Sequence, residues 1–358
     1  MKRNLPMVFK YLAIVAVSCL LAVGISNRLA AAQEPESSPR IAIIGENSVY
    51  AMSGKYKVES SLAVWRDGTR ARDVPVKLYY PAIDGTAATP AEFPVILFSH
   101  GLGGNREGGA RWATHWASHG FVVVALQHMG SDEALWKGVA PAEIANRMKA
   151  GMTVANFASR VGDVHFVIDE VIRRAASDEK AFAKADPTRI GMSGHSFGAQ
   201  TTFAVVGQKP ALTNQKSGLD PRIAAAIAFS PNARNKSNLR SQFGDIKLPV
   251  FSITGSADGS ILDDGTLPEH RRLPFENMAT GQKYLVVFNE GDHMVFGGHA
   301  LSTRRPETAR NKKIQIDVMS GTLAFWNAML KHDASARRWL ERGGFKGTIG
   351  DADIFDQK

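Results

Sequence analysis

The chain has very little cysteine: one in 358 residues, Cys19. Cys19 lies in an apolar N-terminal segment that reads as a leader, so the mature chain is expected to have no thiol. That excludes disulfides, a cysteine nucleophile and cysteine metal sites. The first 33 residues contain no acid. They hold Met1-Lys2-Arg3 and Lys10, then an apolar stretch over 11–25, then Ala30-Ala31-Ala32. This is the pattern of a secretory signal peptide over 1–32, cleaved after Ala32. It predicts a secreted or periplasmic protein with no stable membrane span after the leader is removed. The formal charge of +9 includes Lys2, Arg3, Lys10 and Arg28, so the mature chain keeps +5. No compact basic cluster with interleaved aromatics is present, which argues against nucleic acid as a partner.

Residues 33–40 are rich in Glu, Ser and Pro, and 33–55 reads as a linker. One domain is expected over 56–345, followed by a C-terminal tail over 346–358. Within the domain, strand-like and helix-like segments alternate. Segments 58–65 and 74–80 suggest an antiparallel opening pair, with Asp67-Gly68 in the turn between them. Continuous apolar runs follow at 94–99, 120–127, 190–193, 223–229, 250–254 and 284–288. Strands without polar alternation belong to a sheet covered on both faces. Helical stretches over 110–118, 159–176, 199–206 and 318–331 lie between or after them. The expected fold is α/β: a mostly parallel, doubly wound sheet with helices on both faces. Residues 130–158, with Trp136, Met148, Met152 and Phe157, fit neither pattern and suggest either a lid or an extra pair of helices.

Gly194-His195-Ser196-Phe197-Gly198 has the Gly-x-Ser-x-Gly pattern of a nucleophile elbow. A short buried strand leads into it and an apolar helix follows. The two glycines are needed because side chains there would strike the neighbouring strand and helix. A serine hydroxyl needs a base, and the base needs an acid to orient it; in this architecture the chain order is serine, acid, histidine. Asp258 follows the strand ending at Gly255 and is the expected acid, ahead of Asp263 and Asp264. His293 follows the last core strand and is the expected base, ahead of His299. The loop Ser99-His100-Gly101-Leu102-Gly103-Gly104 can bring backbone N–H groups close to a carbonyl oxygen. The expected oxyanion donors are the N–H groups of Leu102 and Phe197. His128 and Met129, at the end of the fourth strand, are expected to line the acyl side of the pocket. His115 and His119 share one helix face. Without a glutamate after the first histidine they read as a surface pair rather than a zinc site. No cofactor or metal is expected.

Three stretches, Phe98-Ser99-His100-Gly101-Leu102-Gly103, Ala117-Ser118-His119-Gly120-Phe121-Val122-Val123 and the elbow itself, resemble the α/β-hydrolases. The nearest likeness is to the branch of platelet-activating-factor acetylhydrolases and bacterial dienelactone-hydrolase-like proteins. Val74-Pro75-Val76-Lys77-Leu78-Tyr79-Tyr80-Pro81 suits the same branch. The resemblance implies an α/β-hydrolase fold, a Ser196–His293–Asp258 triad and Leu102 and Phe197 as oxyanion donors. True dienelactone hydrolases have cysteine where this chain has Ser196, so that name would describe ancestry. The implied activity is hydrolysis of a small-molecule carboxylic ester with a short-acyl or lipid-like group. A lipase, a polyester hydrolase, an acyltransferase on the same triad, or an inactive binding protein on this fold are the rival readings.

Overall fold

Apolar runs in this chain become strands because helices cover both faces of the sheet they form. The computed structural model describes residues 46–83, 93–177, 179–210, 217–233, 237–260, 265–299 and 307–358. The leader and residues 33–45 lie outside the described residues, as do Asp263 and Asp264. The strands are β1 Val58–Asp67, β2 Arg72–Pro81, β3 Phe93–Ser99, β4 Val122–Leu126, β5 Ala185–His195, β6 Ile223–Phe229, β7 Val250–Ala257, β8 Lys283–Asp292 and β9 Ile354–Gln357. They form one sheet in the order β1-β2-β4-β3-β5-β6-β7-β8-β9. Pairing is parallel from β4 to β8 and antiparallel at both edges. Every residue of β3 and β4 is buried, whereas β1 alternates between covered and exposed positions. This is the α/β-hydrolase fold, a doubly wound and mostly parallel sheet.

Two cores lie on the two faces. One packs Trp112, Trp116, Phe325 and Trp326, from helices Ala110–Ser118 and Ala309–Leu330, against Ile227, Phe251 and Val286. The other packs Val164, Val167, Ile168 and Phe203, from helices Val154–Ala175 and Phe197–Val205, against Val95, Leu97 and Met192. Among the described residues, no helix is long and apolar enough to cross a membrane.

Three expectations need correction. The tail over 346–358 is part of the sheet: β9 pairs antiparallel with β8, Val286 opposite Phe355. Phe355 is partly buried and also packs on Phe251, Tyr284 and Phe345, which gives so short a strand a reason to form. The described part of the supposed linker is docked rather than free. Glu46–Ala51 forms a short 3-10 helix, and the Tyr50 ring lies 4.7 Å from that of Trp339. The His115 and His119 pair explains the docking. His115 is buried and donates Nε2–H to the Tyr50 carbonyl (2.9 Å), and His119 donates to that of Met52 (2.8 Å). They are a clamp on the N-terminal segment and not a surface pair. Among the described residues, no group of acids, histidines and cysteines could hold a metal ion.

Candidate active site

Ser196 sits between the end of β5 and the first residue of helix Phe197–Val205, with φ 57° and ψ −113°. Positive φ on a residue with a Cβ costs of order 1–3 kcal/mol and persists only where the surroundings impose it. Here the two glycines impose it. A Cβ on Gly194 would lie 2.4 Å from the Gly198 carbonyl oxygen, and one on Gly198 would lie 1.9 Å from that of Ser99. Strand, turn and helix are therefore in backbone contact. The Ser196 N–H is tied across to the Phe229 carbonyl at 2.9 Å.

The structure brings Ser196, Asp258 and His293 together. Asp258 follows β7 and His293 follows β8, so both stand at the C-terminal edge of the sheet beside the elbow. His293 Nδ1 lies 2.7 Å from Asp258 Oδ1, and Nε2 lies 3.0 Å from Ser196 Oγ. A carboxylate only accepts, so Nδ1 carries the proton and Nε2 is free to accept the serine hydroxyl's. Asp258 is fully buried and takes a second hydrogen bond from Thr254 Oγ1 at 2.7 Å. Burial alone would raise its pKa. The hydrogen bond from His293, the charge of Arg271 and the bond from Thr254 outweigh that and hold the carboxyl below its ordinary value.

Arg271 is a component the sequence reading missed. It is buried, and its Nε lies 3.2 Å from Asp258 Oδ1. It also donates to the carbonyls of Asp258 (3.0 Å), Ser230 (3.1 Å) and Gly259 (3.3 Å). Its Nη2 comes within 3.2 Å of His293 Nδ1. That nitrogen's proton is already given to Asp258, so the contact is one of charge rather than a hydrogen bond. His195 was also missed: its Nε2–H donates to the His293 carbonyl at 2.9 Å, and the rings lie 4.7 Å apart. Burial and the neighbouring His293 push its pKa well below the usual value, so it acts as a neutral strut.

Leu102 and Phe197 both line the cavity that holds Ser196 and His293, which has a volume of about 280 Å³. The loop before Leu102 is built tightly. His100 donates Nδ1–H to the Gly101 carbonyl (2.6 Å) and accepts the His128 N–H at Nε2 (3.0 Å). A Cβ on Gly101 would lie 3.4 Å from that of Ser196, so the loop leans on the elbow. Phe197 is the first helical residue, and its N–H points along the positive end of the helix. The cavity's apolar lining includes Leu102, Trp136, Met148 and Met152; Asn232, Ser260 and Thr266 are among its polar lining. His299 also lies on its wall.

The 130–158 segment contains helix Pro141–Gly151 and supplies Trp136, Met148 and Met152 to this cavity. Trp136 donates Nε1–H to the Gly103 carbonyl at 2.6 Å. It is a helical segment laid against the loop that carries Leu102.

His128 and Met129 do not line the cavity. His128 is fully buried, with Nε2 2.9 Å from Ser99 Oγ and Nδ1 3.0 Å from Asp163 Oδ2. A buried imidazole needs polar partners on both nitrogens, and it finds them inside, away from the pocket. Met129 is 44% exposed, and its carbonyl accepts from Arg72 at 2.8 Å. It borders a separate cleft with Arg66, Arg70 and Arg72.

A chlorophyllase family model matches residues 48–242. The match includes Leu102 and Ser196 and stops before Asp258 and His293. Two curated relatives, both named chlorophyllase-1, chloroplastic, come from Citrus unshiu and Citrus sinensis. Each is 29% identical over 159 residues, 42% of this chain and 42% of the relative. The match thus spans less than half the length of either relative. The family model covers more than half of this chain, and the mostly parallel sheet flanked by helices is consistent with the family's fold, so the chain belongs to the chlorophyllase family of α/β-hydrolases.

Proposed function

We propose that this protein is a serine carboxylic-ester hydrolase working through an acyl-enzyme. The observation that carries the proposal is the hydrogen-bonded line from Ser196 through His293 to Asp258, opening into a cavity beside the oxyanion loop. Ser196 Oγ attacks the ester carbonyl while His293 Nε2 takes its proton. The N–H groups of Leu102 and Phe197 receive the developing oxyanion, and Asp258 stabilises the imidazolium. Collapse of the tetrahedral intermediate breaks the ester C–O bond, and His293 returns the proton to the leaving alcohol. Water, deprotonated by His293, then attacks the acyl-serine and releases the acid. The match to enzymes named chlorophyllase supports ester hydrolysis as the reaction class.

For the substrate we propose a short-acyl or lipid-like ester, as the likeness to the platelet-activating-factor acetylhydrolase branch implies. The methionines and Trp136 in the cavity lining suit a flexible apolar group. The family match favours a second reading, hydrolysis of a chlorophyll-type ester. Initial rates on p-nitrophenyl esters from acetate to palmitate, with chlorophyll a alongside and Ser196→Ala as control, separate them. A peak at acetate or butyrate supports the first reading, and chlorophyllide release above all p-nitrophenyl rates supports the second. No Ser196-dependent activity on any ester would sink both.

We also propose export, with residues 1–32 as the cleaved leader. N-terminal sequencing of the mature protein should begin at Gln33, and an intact Met1 would overturn this.

A further inference from the structure

Arg160 lies on helix Val154–Ala175, is fully buried and does not line the cavity, yet its guanidinium meets both arms of the oxyanion site. Its Nη2 donates to the Ser99 hydroxyl (3.0 Å) and to the carbonyl of His100, two residues before Leu102. Its carbon lies 4.6 Å from the centre of the Phe197 ring, the side chain of the other oxyanion residue. Its Nε donates to Thr201 Oγ1 (3.0 Å), one turn along the helix from Phe197. Its Nη1 donates to Ser131 Oγ (2.9 Å), at the start of the segment that carries Trp136.

None of these hydrogen-bond partners is a carboxylate. Asp163, one turn further along the same helix, hydrogen-bonds Arg70, Arg72 and His128 rather than Arg160, and with Asp132 it acts on Arg160 through charge alone. A buried cation is costly, and packing alone gives no reason to place one here. A planar fork with donors fixed in direction, however, can hold three chain segments in one geometry.

We propose that Arg160 is the positioning residue of the oxyanion hole, setting the Leu102 and Phe197 N–H groups against each other. The proposal rests on the ester-hydrolase reading. Hydrogen-bond donors for a transition-state oxyanion act only when held in place, and misplacing them lowers kcat with little change in ground-state binding. A lysine keeps the charge but has neither the plane nor the reach to hold Ser99, His100, Ser131 and Thr201 at once.

The test compares the wild type with Arg160→Lys and Thr201→Val on one p-nitrophenyl ester. It also measures inhibition by an alkyl boronic acid, which forms a tetrahedral adduct on Ser196. Arg160→Lys should lose about tenfold or more in kcat with KM within about threefold, and boronate affinity should fall by the same factor. Thr201→Val removes the Nε partner together with the Oγ1 hydrogen bond to the Phe197 carbonyl (3.1 Å), through which Arg160 reaches that residue's backbone, and should show the same signature at several-fold size. Should Arg160→Lys not fold, as read by thermal melting, Thr201→Val carries the test. Unchanged kcat and boronate affinity in a folded variant would overturn the proposal, as would KM rising in step with the loss of kcat. A wild type lacking Ser196-dependent hydrolysis would sink the proposed function instead, so the two failures are distinguishable.

Discussion

Among the described residues are two lines of serine, histidine and aspartate with nearly the same geometry. In Ser196–His293–Asp258 the contacts are 3.0 and 2.7 Å; in Ser99–His128–Asp163 they are 2.9 and 3.0 Å. Both use Nε2 toward the serine and Nδ1 toward the acid. Only the first is placed to do the proposed chemistry. Ser196 is partly exposed in the cavity and held at positive φ on a turn. Ser99 is wholly buried, and its hydroxyl also accepts from Arg160. Asp163 is tied to Arg70 and Arg72, whereas Asp258 meets a hydroxyl and one arginine. Three side chains in a row define a hydrogen-bond relay. Access for a carbonyl and donors for its oxyanion are what turn a relay into a catalytic site. The two are also neighbours: the Ser99 carbonyl is the atom that a side chain at Gly198 would strike.

The largest separation between the relays should come from their serines. Ser196→Ala is expected to lower kcat by about 10⁴-fold or more, while Ser99→Ala should keep it within about tenfold. Fluorophosphonate should label Ser196 and leave Ser99 untouched; labelling of Ser99 in the folded protein would collapse the comparison.

The two acids should separate by observable. Asp258→Asn should cost about 10⁴-fold in kcat through the wrong imidazole tautomer, as in the serine-protease precedent. Asp163→Asn leaves the partly buried Arg70 and Arg72 without their shared carboxylate, and should cost about 3–5 kcal/mol of stability. Urea melts and kcat measured on both variants check this; equal stability losses would show that the second relay has no special structural role.

Acid should weaken the second relay along with other buried histidines. Burial, the largest cause, and the charge of Arg160 pull His128 down to about 4, against opposition from Asp163; burial with His119 does the same to His115, also to about 4. Each histidine binds its proton more readily unfolded, so stability is full above the unfolded pKa near 6.5 and falls as pH drops toward 4. Each could forfeit roughly 3 kcal/mol at the bottom of that window. Asp317 runs the other way, because burial raises its carboxyl to about 6 and acid relieves it. With His100, His195 and His299 also lowered, the histidines outweigh that one carboxyl. Urea midpoints should therefore fall between pH 6.5 and 4; a flat or rising profile would contradict the buried, neutral histidines.

The smallest effect concerns the segment over the loop that carries Leu102. Trp136→Phe removes one hydrogen bond to the Gly103 carbonyl at a partly exposed site, so kcat should fall only about two- to fivefold. A larger loss would mean that this segment, and not Arg160 alone, holds the loop.

Much of the frame was legible because its signals are local. The apolar run at 223–229 is β6 without adjustment, and 110–118 is a helix to the residue. The chain order of Ser196, Asp258 and His293 follows from which strand ends meet at one sheet edge, and that order can be read in one dimension. His128 failed for the same kind of reason: the end of a strand is visible in sequence, but the direction of its last side chains is not. A signal for Arg160 and Asp163 was present. They fall on the stripe of helix Val154–Ala175 shared by Val164, Val167, Ile168 and Val171, and a charged pair on an apolar stripe asks for buried partners.

The sheet, the elbow and the candidate triad are written in the residue order, since apolar periodicity, glycines at a tight turn and chain order each act over a few residues. Which serine relay faces a cavity, and what the buried arginines hold, emerges only on folding. In both relays the histidine and the acid stand 35 residues apart, so separation along the chain cannot tell them apart. Exposure does, and it is a property of the packed molecule: the cost of burying polar groups is met by partners from distant segments, and folding chooses them.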